Sequence, residues 1–178
     1  MARLAKKGSK LEMLIDMANN EYRNADIAVV GKVPPPLKIG KVEGKNVDAY
    51  LDKAAWLDYT GVYKGYSLNF DAKETKVERF PLANLANHQY ETMKSWDRHG
   101  AVTFLIVAFW LKGKNEPEIY YLAFKQLAQF WERKDSGGSK SIPIKYFRDH
   151  CIRIECRNGF TLHYLLALGL HQLEDGLK

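Results

Sequence analysis

Apolar and polar positions change period several times along the chain, and each change marks an element. From Lys10 the apolar residues Leu11, Leu14, Ile15 and Ala18 recur at helical spacing behind Ser9, which can cap the first turn, and predict a helix to about Tyr22. The run "DIAVVGKV" (26–33), stopped by Pro34, Pro35 and Pro36, reads as a short buried strand. Residues 37–56, "LKIGKVEGKNVDAYLDKAAW", hold no clean period and are expected to protrude. In "GVYKGYSLNFDAKET" (61–75), strand composition flanks Lys64-Gly65, a hairpin turn signal.

The second half continues the alternation. "FPLANLANHQYETMKSW" (80–96) predicts a helix, with Pro81 near its start and an apolar stripe at Leu82, Leu85, Ala86, Met93 and Trp96. Gln89 falls on that stripe. "AVTFLIVAFWL" (101–111) is too short to span a membrane and reads as a buried strand. "IYYLAF" predicts a strand, "FKQLAQFWERK" a helix, and "SIPIKYFRDH" a helix with Ser141 as cap and Pro143 in its first turn. "IRIEC" and "FTLHYLLAL" read as closing strands, the second also compatible with a helix. The order implies an α/β or α+β layer with a mixed sheet.

At 178 residues, with 46% hydrophobic and 27% charged positions, the composition is that of one ordinary globular domain. A formal charge of +6 favours a polyanionic partner without naming it. Arg3, Lys6, Lys7 and Lys10 form an acid-free basic arm, expected to order on phosphate. Cys151 and Cys156 are too few for a disulfide framework. With His150 and His163 nearby they still lack the second close pair a zinc site needs. No signal-peptide apolar core follows the basic start, so a cytoplasmic address and no membrane association are expected.

The chemistry concentrates in 58–75. If "YSLNFDAKET" is extended, Leu68, Phe70 and Ala72 face one side while Asn69, Asp71, Lys73 and Thr75 face the other, with Asp71 and Lys73 about 7 Å apart. A hairpin at Lys64-Gly65 brings Asp58 back toward Asp71. Two carboxylates at one point repel unless a cation joins them. Mg2+ suits such a pair because it takes hard oxygens and is commonly held by one or two carboxylates plus substrate phosphate. Lys73 then stands ready to stabilise developing negative charge, and phosphodiester hydrolysis is the implied reaction. An edge strand with ordinary surface charges fits D-x12-D-x-K equally well.

The runs "DYTGVYKG", "DAKET" and "FPLANLANHQYETMK" together resemble the RecU Holliday-junction resolvase family, within the PD-(D/E)xK, restriction-endonuclease-like nucleases. The resemblance extends to "LEMLIDMANNEY", "IAVVGKVPPPLKI", "AYL" and "FWERKDSGGSKSI", and weakens after about residue 145. It implies a restriction-endonuclease-like α/β core with a mixed β-sheet flanked by helices and a projecting stalk. The whole chain, 1–178, would be one nuclease domain, with residues 1–10 as a flexible basic arm and about 40–57 as the stalk. Asp58 would be the first metal-binding aspartate and Asp71 the second, at a position where the family usually has glutamate. Lys73 would be the catalytic lysine, Gln89 the glutamine of the family's H-Q pair, and Glu12 an acid reaching the site through water.

The same resemblance implies that the stalk enters the junction. Lys41, Lys45 and Lys53 would meet phosphates, and Tyr50 and Leu51 would form the wedge where the family typically has Ala-Tyr-Phe. Trp56 is expected to be a core anchor at the stalk base, with an aromatic contact to the DNA as the alternative. The implied function is a Mg2+-dependent endodeoxyribonuclease, with Mn2+ as a substitute, making paired nicks in four-way junction DNA as a homodimer during recombination and repair, alongside other recombination proteins. A junction-binding accessory with little cleavage, or a sequence-specific restriction-type endonuclease, are the alternatives.

Overall fold

The computed structural model describes residues 10–34, 37–44, 46–51 and 56–169. Helix α1 (Lys10–Asn24) leads into β1 (Ala28–Lys32), a two-strand hairpin of β2 (Leu37–Glu43) and β3 (Asn46–Leu51), and a second hairpin of β4 (Tyr59–Tyr63) and β5 (Tyr66–Thr75). The short β6 (Arg79–Pro81), α2 (Asn87–Arg98), β7 (Val102–Phe109), β8 (Glu118–Ala123) and α3 (Phe124–Asp135) follow. The chain then forms β9 (Ser141–Pro143), α4 (Ile144–His150) and β10 (Ile152–Arg153).

Six strands make one mixed sheet in the order β1-β4-β5-β7-β8-β10. Every pairing in it is antiparallel except β5 with β7, which run parallel because α2 carries the chain back between them. β7 is buried on both faces, as its unbroken apolar run predicts. Phe104, Ile106 and Ala108 pack toward α1, with Leu11, Ile15, Tyr22, Phe70 and Tyr164. Leu105, Val107 and Phe109 pack on the other face with Tyr90, Met93, Leu127 and Phe147. β2 and β3 pair only with each other, in a separate two-strand sheet within the stretch expected to protrude.

Lys64 and Gly65 both take positive φ, 49° and 80°, the backbone a tight hairpin turn needs. Three expectations are corrected. Residues 80–86 are not helical: Phe80 pairs with Ile142 in the small β6–β9 sheet, both side chains fully buried, and a single 3-10 turn over Leu82–Asn84 precedes α2. Ser141 and Pro143 belong to that sheet: Ser141 does not cap α4, and Pro143 stands at its N-cap position rather than in its first turn. "FTLHYLLAL" is not a strand: it ends in a 3-10 turn at Tyr164–Leu168, where the Tyr164 hydroxyl donates to Asn19 of α1 at 2.6 Å. No helix among the described residues is long and apolar enough to cross a membrane.

Candidate active site

The Lys64-Gly65 turn sets the register Tyr59 to Phe70, so Asp58, one residue before β4, arrives beside Asp71 in mid-β5. The period-two alternation of β5 holds: Leu68 and Phe70 enter the α1-side core, while Asn69, Asp71 and Lys73 lie on the α2 side. Asp71 is completely buried and Lys73 nearly so, at 0% and 15% side-chain exposure, whereas Asp58 is partly open. The reacting surface is therefore entered past Asp58.

One helix residue ties the group together. Gln89 Nε2 donates to Asp71 Oδ2 at 2.5 Å, and Gln89 Oε1 accepts from Lys73 Nζ at 3.2 Å and from the Ala86 backbone N–H at 3.1 Å. Ala86 sits at the N-cap position of α2 without a side chain able to cap it, and Gln89, three residues on, supplies the missing acceptor. Lys73 Nζ lies 3.0 Å from Asp71 Oδ2.

The other carboxylate oxygen, Asp71 Oδ1, is buried and has no hydrogen-bond donor. Burial, followed by the Asp58 carboxylate within hydrogen-bonding reach, raises the Asp71 pKa well above the usual carboxylate range, against the opposing pull of Lys73. A buried acceptor without a donor, facing a second carboxylate, is relieved either by a proton or by a cation. Among the described residues no three His, Cys, Asp or Glu side chains converge as a metal set. A cation here would take Asp58 and Asp71 and complete its shell with water and phosphate oxygens, the arrangement hard divalent ions prefer.

Around this group stand residues that the sequence pattern did not single out. Glu74 Oε1 accepts the Leu11 backbone N–H at 2.7 Å and so pins the start of α1 to β5. The Tyr59 hydroxyl donates to Asp16 Oδ1 at 3.0 Å, locking α1 to the strand that follows Asp58. Glu74, Tyr59 and Asp16 are ordinary polar residues in sequence, and only the fold brings them to these partners.

A family model described as "Recombination protein U" matches residues 6–169. The chain belongs to the RecU family. Proteins named Holliday junction resolvase RecU are similar to it over most of its length. That of Pediococcus pentosaceus is 36% identical over 170 residues, spanning 92% of this chain and 83% of its own. That of Bacillus cytotoxicus is 37% identical over 171 residues, spanning 92% and 84%. A solved structure of Hjc, a Holliday junction resolvase from Archaeoglobus fulgidus, aligns with TM-score 0.47 and 14% identity over 82% of this chain and 95% of that one, too distant to add to the RecU assignment.

The structure brings together Asp58, Asp71, Lys73 and Gln89, the four positions that the RecU resemblance marked as catalytic. Glu12 Oε2 takes Lys32 Nζ of β1 at 2.6 Å, and the same ammonium lies within electrostatic reach of the Asp58 carboxylate. Lys10 is exposed at the start of α1 with its ammonium 5.3 Å from the Trp110 ring centroid. Lys41 is exposed on β2, and Tyr50 and Leu51 belong to β3. Arg3, Lys6, Lys7, Lys45 and Lys53 lie outside the described residues. Trp56 departs from expectation: it is 54% exposed and anchors no core.

Proposed function

We propose that this chain resolves Holliday junctions as a Mg2+-dependent endodeoxyribonuclease, cutting phosphodiester bonds at the Asp58–Asp71 pair. The observation that carries the reading is the donor-free Asp71 Oδ1, buried beside a second carboxylate, with Lys73 on the same strand face. Family membership supplies the substrate class: the curated relatives are named Holliday junction resolvases.

Asp58 and Asp71 would hold the cation, with Mn2+ able to replace Mg2+. Bound there, it would supply positive charge to the scissile phosphate and lower the pKa of water. The chain's own groups do the rest. Gln89 fixes Asp71 and Lys73 relative to one another from a helix whose own first turn it caps, so the site is held before substrate arrives. The Lys73 ammonium, partly open, is placed to donate to phosphate oxygens as charge builds on them. Its contacts with Gln89 Oε1 and Asp71 Oδ2 leave one further N–H donor.

Basic residues of the arm and hairpin, Arg3, Lys6, Lys7, Lys10, Lys41, Lys45 and Lys53, would contact phosphates, with Tyr50 and Leu51 against bases. Two copies related by a two-fold axis would place one cut in each of two opposed strands of a near-symmetric junction. The cytoplasm, where recombination proteins meet DNA, is the expected location. A junction-binding accessory is the second reading, favoured by Asp71 standing where the family usually has the longer glutamate.

The deciding experiment compares wild type with Asp58→Ala and Lys73→Ala on a mobile four-way junction and on matched duplex, with and without Mg2+. The nuclease reading requires paired nicks by wild type only with metal, and variants that bind without nicking. Binding by wild type without any nicking selects the accessory, and site-specific cutting of linear duplex selects a restriction-type enzyme.

A further inference from the structure

Two residues before Asp58, the largest apolar side chain of the segment stays outside. The chain buries Leu57, 4% exposed, in the core under α2 and leaves Trp56 with 54% of its surface open. An exposed indole forgoes one of the larger burial gains available to a single residue. Trp56 is nonetheless held: Trp96 of α2 meets it with ring centroids 5.6 Å apart and planes at 66°. An edge contact of this kind fixes the ring and leaves much of the indole face uncovered.

The pair is also tied to the carboxylates. Trp96 lies seven residues from Gln89, hence on the same face of α2, about 10 Å further along its axis. Trp56 connects directly through Leu57 to Asp58. An open aromatic plane two residues along the chain from a candidate phosphodiester site, at most about 7 Å between Cα atoms, makes a nucleotide-binding surface in which the ring takes a base.

We propose that Trp56, backed by Trp96, stacks on the nucleobase flanking the phosphodiester seated at Asp58 and Asp71, and so sets which link is cut. The inference rests on the reading of that pair as a DNA-cleaving site. An unstacked base is available at the exchange point of a junction and not within continuous duplex, so the contact favours junctions over duplex DNA. The aromatic contact that Leu51 does not offer at the hairpin is then supplied beside the reacting centre.

The test uses the full chain and four-way junctions carrying 2-aminopurine at single positions around the exchange point, titrated in EDTA so that no cutting occurs. Wild type is expected to quench the probe at one position. Trp56→Leu, which keeps apolar bulk without a ring, should lose the quench and bind roughly tenfold more weakly, while Trp56→Phe should keep most of both. Quench and affinity unchanged in Trp56→Leu overturn the proposal, as does Trp56→Phe falling as far as Trp56→Leu. Cutting is scored separately with Mg2+: a wild type that quenches but never nicks rejects the nuclease reading alone. A wild type that nicks at the same links, with the same affinity, as Trp56→Leu rejects the stacking alone.

Discussion

Gln89 donates to Asp71 across the gap between a helix and a strand, 2.5 Å from nitrogen to oxygen, while its carbonyl faces Lys73. One amide thus holds an acid and a base of the site in a fixed relation. Gln89→Ala removes both contacts and the α2 cap. Groups that orient metal-binding carboxylates are commonly worth about 10–100-fold in activity. Nicking should fall by that factor with junction affinity in EDTA unchanged; an equal loss of affinity would show that Gln89 works on the DNA directly.

Asp71 is buried beside Asp58, and its folded pKa lies above the unfolded one. For such a group stability is full below the unfolded pKa and declines as pH rises and the buried carboxyl is forced to ionise. In metal-free protein at pH 7, Asp71→Asn should therefore raise the melting temperature. The difference should vanish near pH 3. Mg2+ should stabilise wild type and leave Asp71→Asn unmoved, because only a state that binds the ion gains from it. Calorimetry of both proteins with EDTA and with Mg2+ reads all three effects, and a destabilised Asp71→Asn in EDTA would contradict the cost assigned to the buried charge.

Glu118 and Arg148 give the opposite sign. The Arg148 guanidinium, bonded to both Glu118 oxygens at 2.7 and 2.9 Å, lowers the carboxyl from 4.5 to about 2 against the effect of burial, and Tyr120 adds a third hydrogen bond. The stabilisation is complete above the ordinary carboxylate value and is lost as pH falls through the folded one. Arg148→Ala should shift the acid-unfolding midpoint, followed by circular dichroism, to higher pH. The guanidinium is 43% exposed, so the loss at neutral pH should stay below about 1 kcal/mol.

Gly61 lies opposite Val30 in the β1–β4 ladder, where a Cβ would come 2.3 Å from the Val29 carbonyl oxygen and 2.6 Å from the Val30 Cα. Both obstacles are backbone, so neither can swing aside. Gly61→Ala should cost about 3 kcal/mol in urea denaturation, at the upper end of overpacking effects. A melt like that of wild type would mean β1 is free to move away from β4.

The face alternation of β5 and the hairpin at Lys64-Gly65 were both readable before any coordinates, because each rests on local backbone geometry: period two for the strand, positive φ for the turn. These two features already put Asp58 near Asp71. Gln89 was readable as a polar residue on an apolar stripe. Its double service to Asp71 and Lys73 was not, since it depends on α2 starting at Asn87 and not near Pro81. That start is set by the pairing of Phe80 with Ile142, a contact between residues 62 positions apart that no local pattern announces. Trp56 misled for a related reason: an indole reads as core wherever the partner that would cover it is unknown.

The Val33 backbone N–H donates to the Asp58 carbonyl at 2.8 Å, one bond from the end of β1 to the residue that opens β4. The β2–β3 hairpin is thereby an excursion pinched at its neck. Lengthening, trimming or swapping that excursion leaves the alignment of Asp58 with Asp71 in place, at an entropic charge that grows only by about 0.6 kcal/mol per doubling of loop length. The chain can thus vary what its hairpin reaches for while Asp58 stays in register with Asp71.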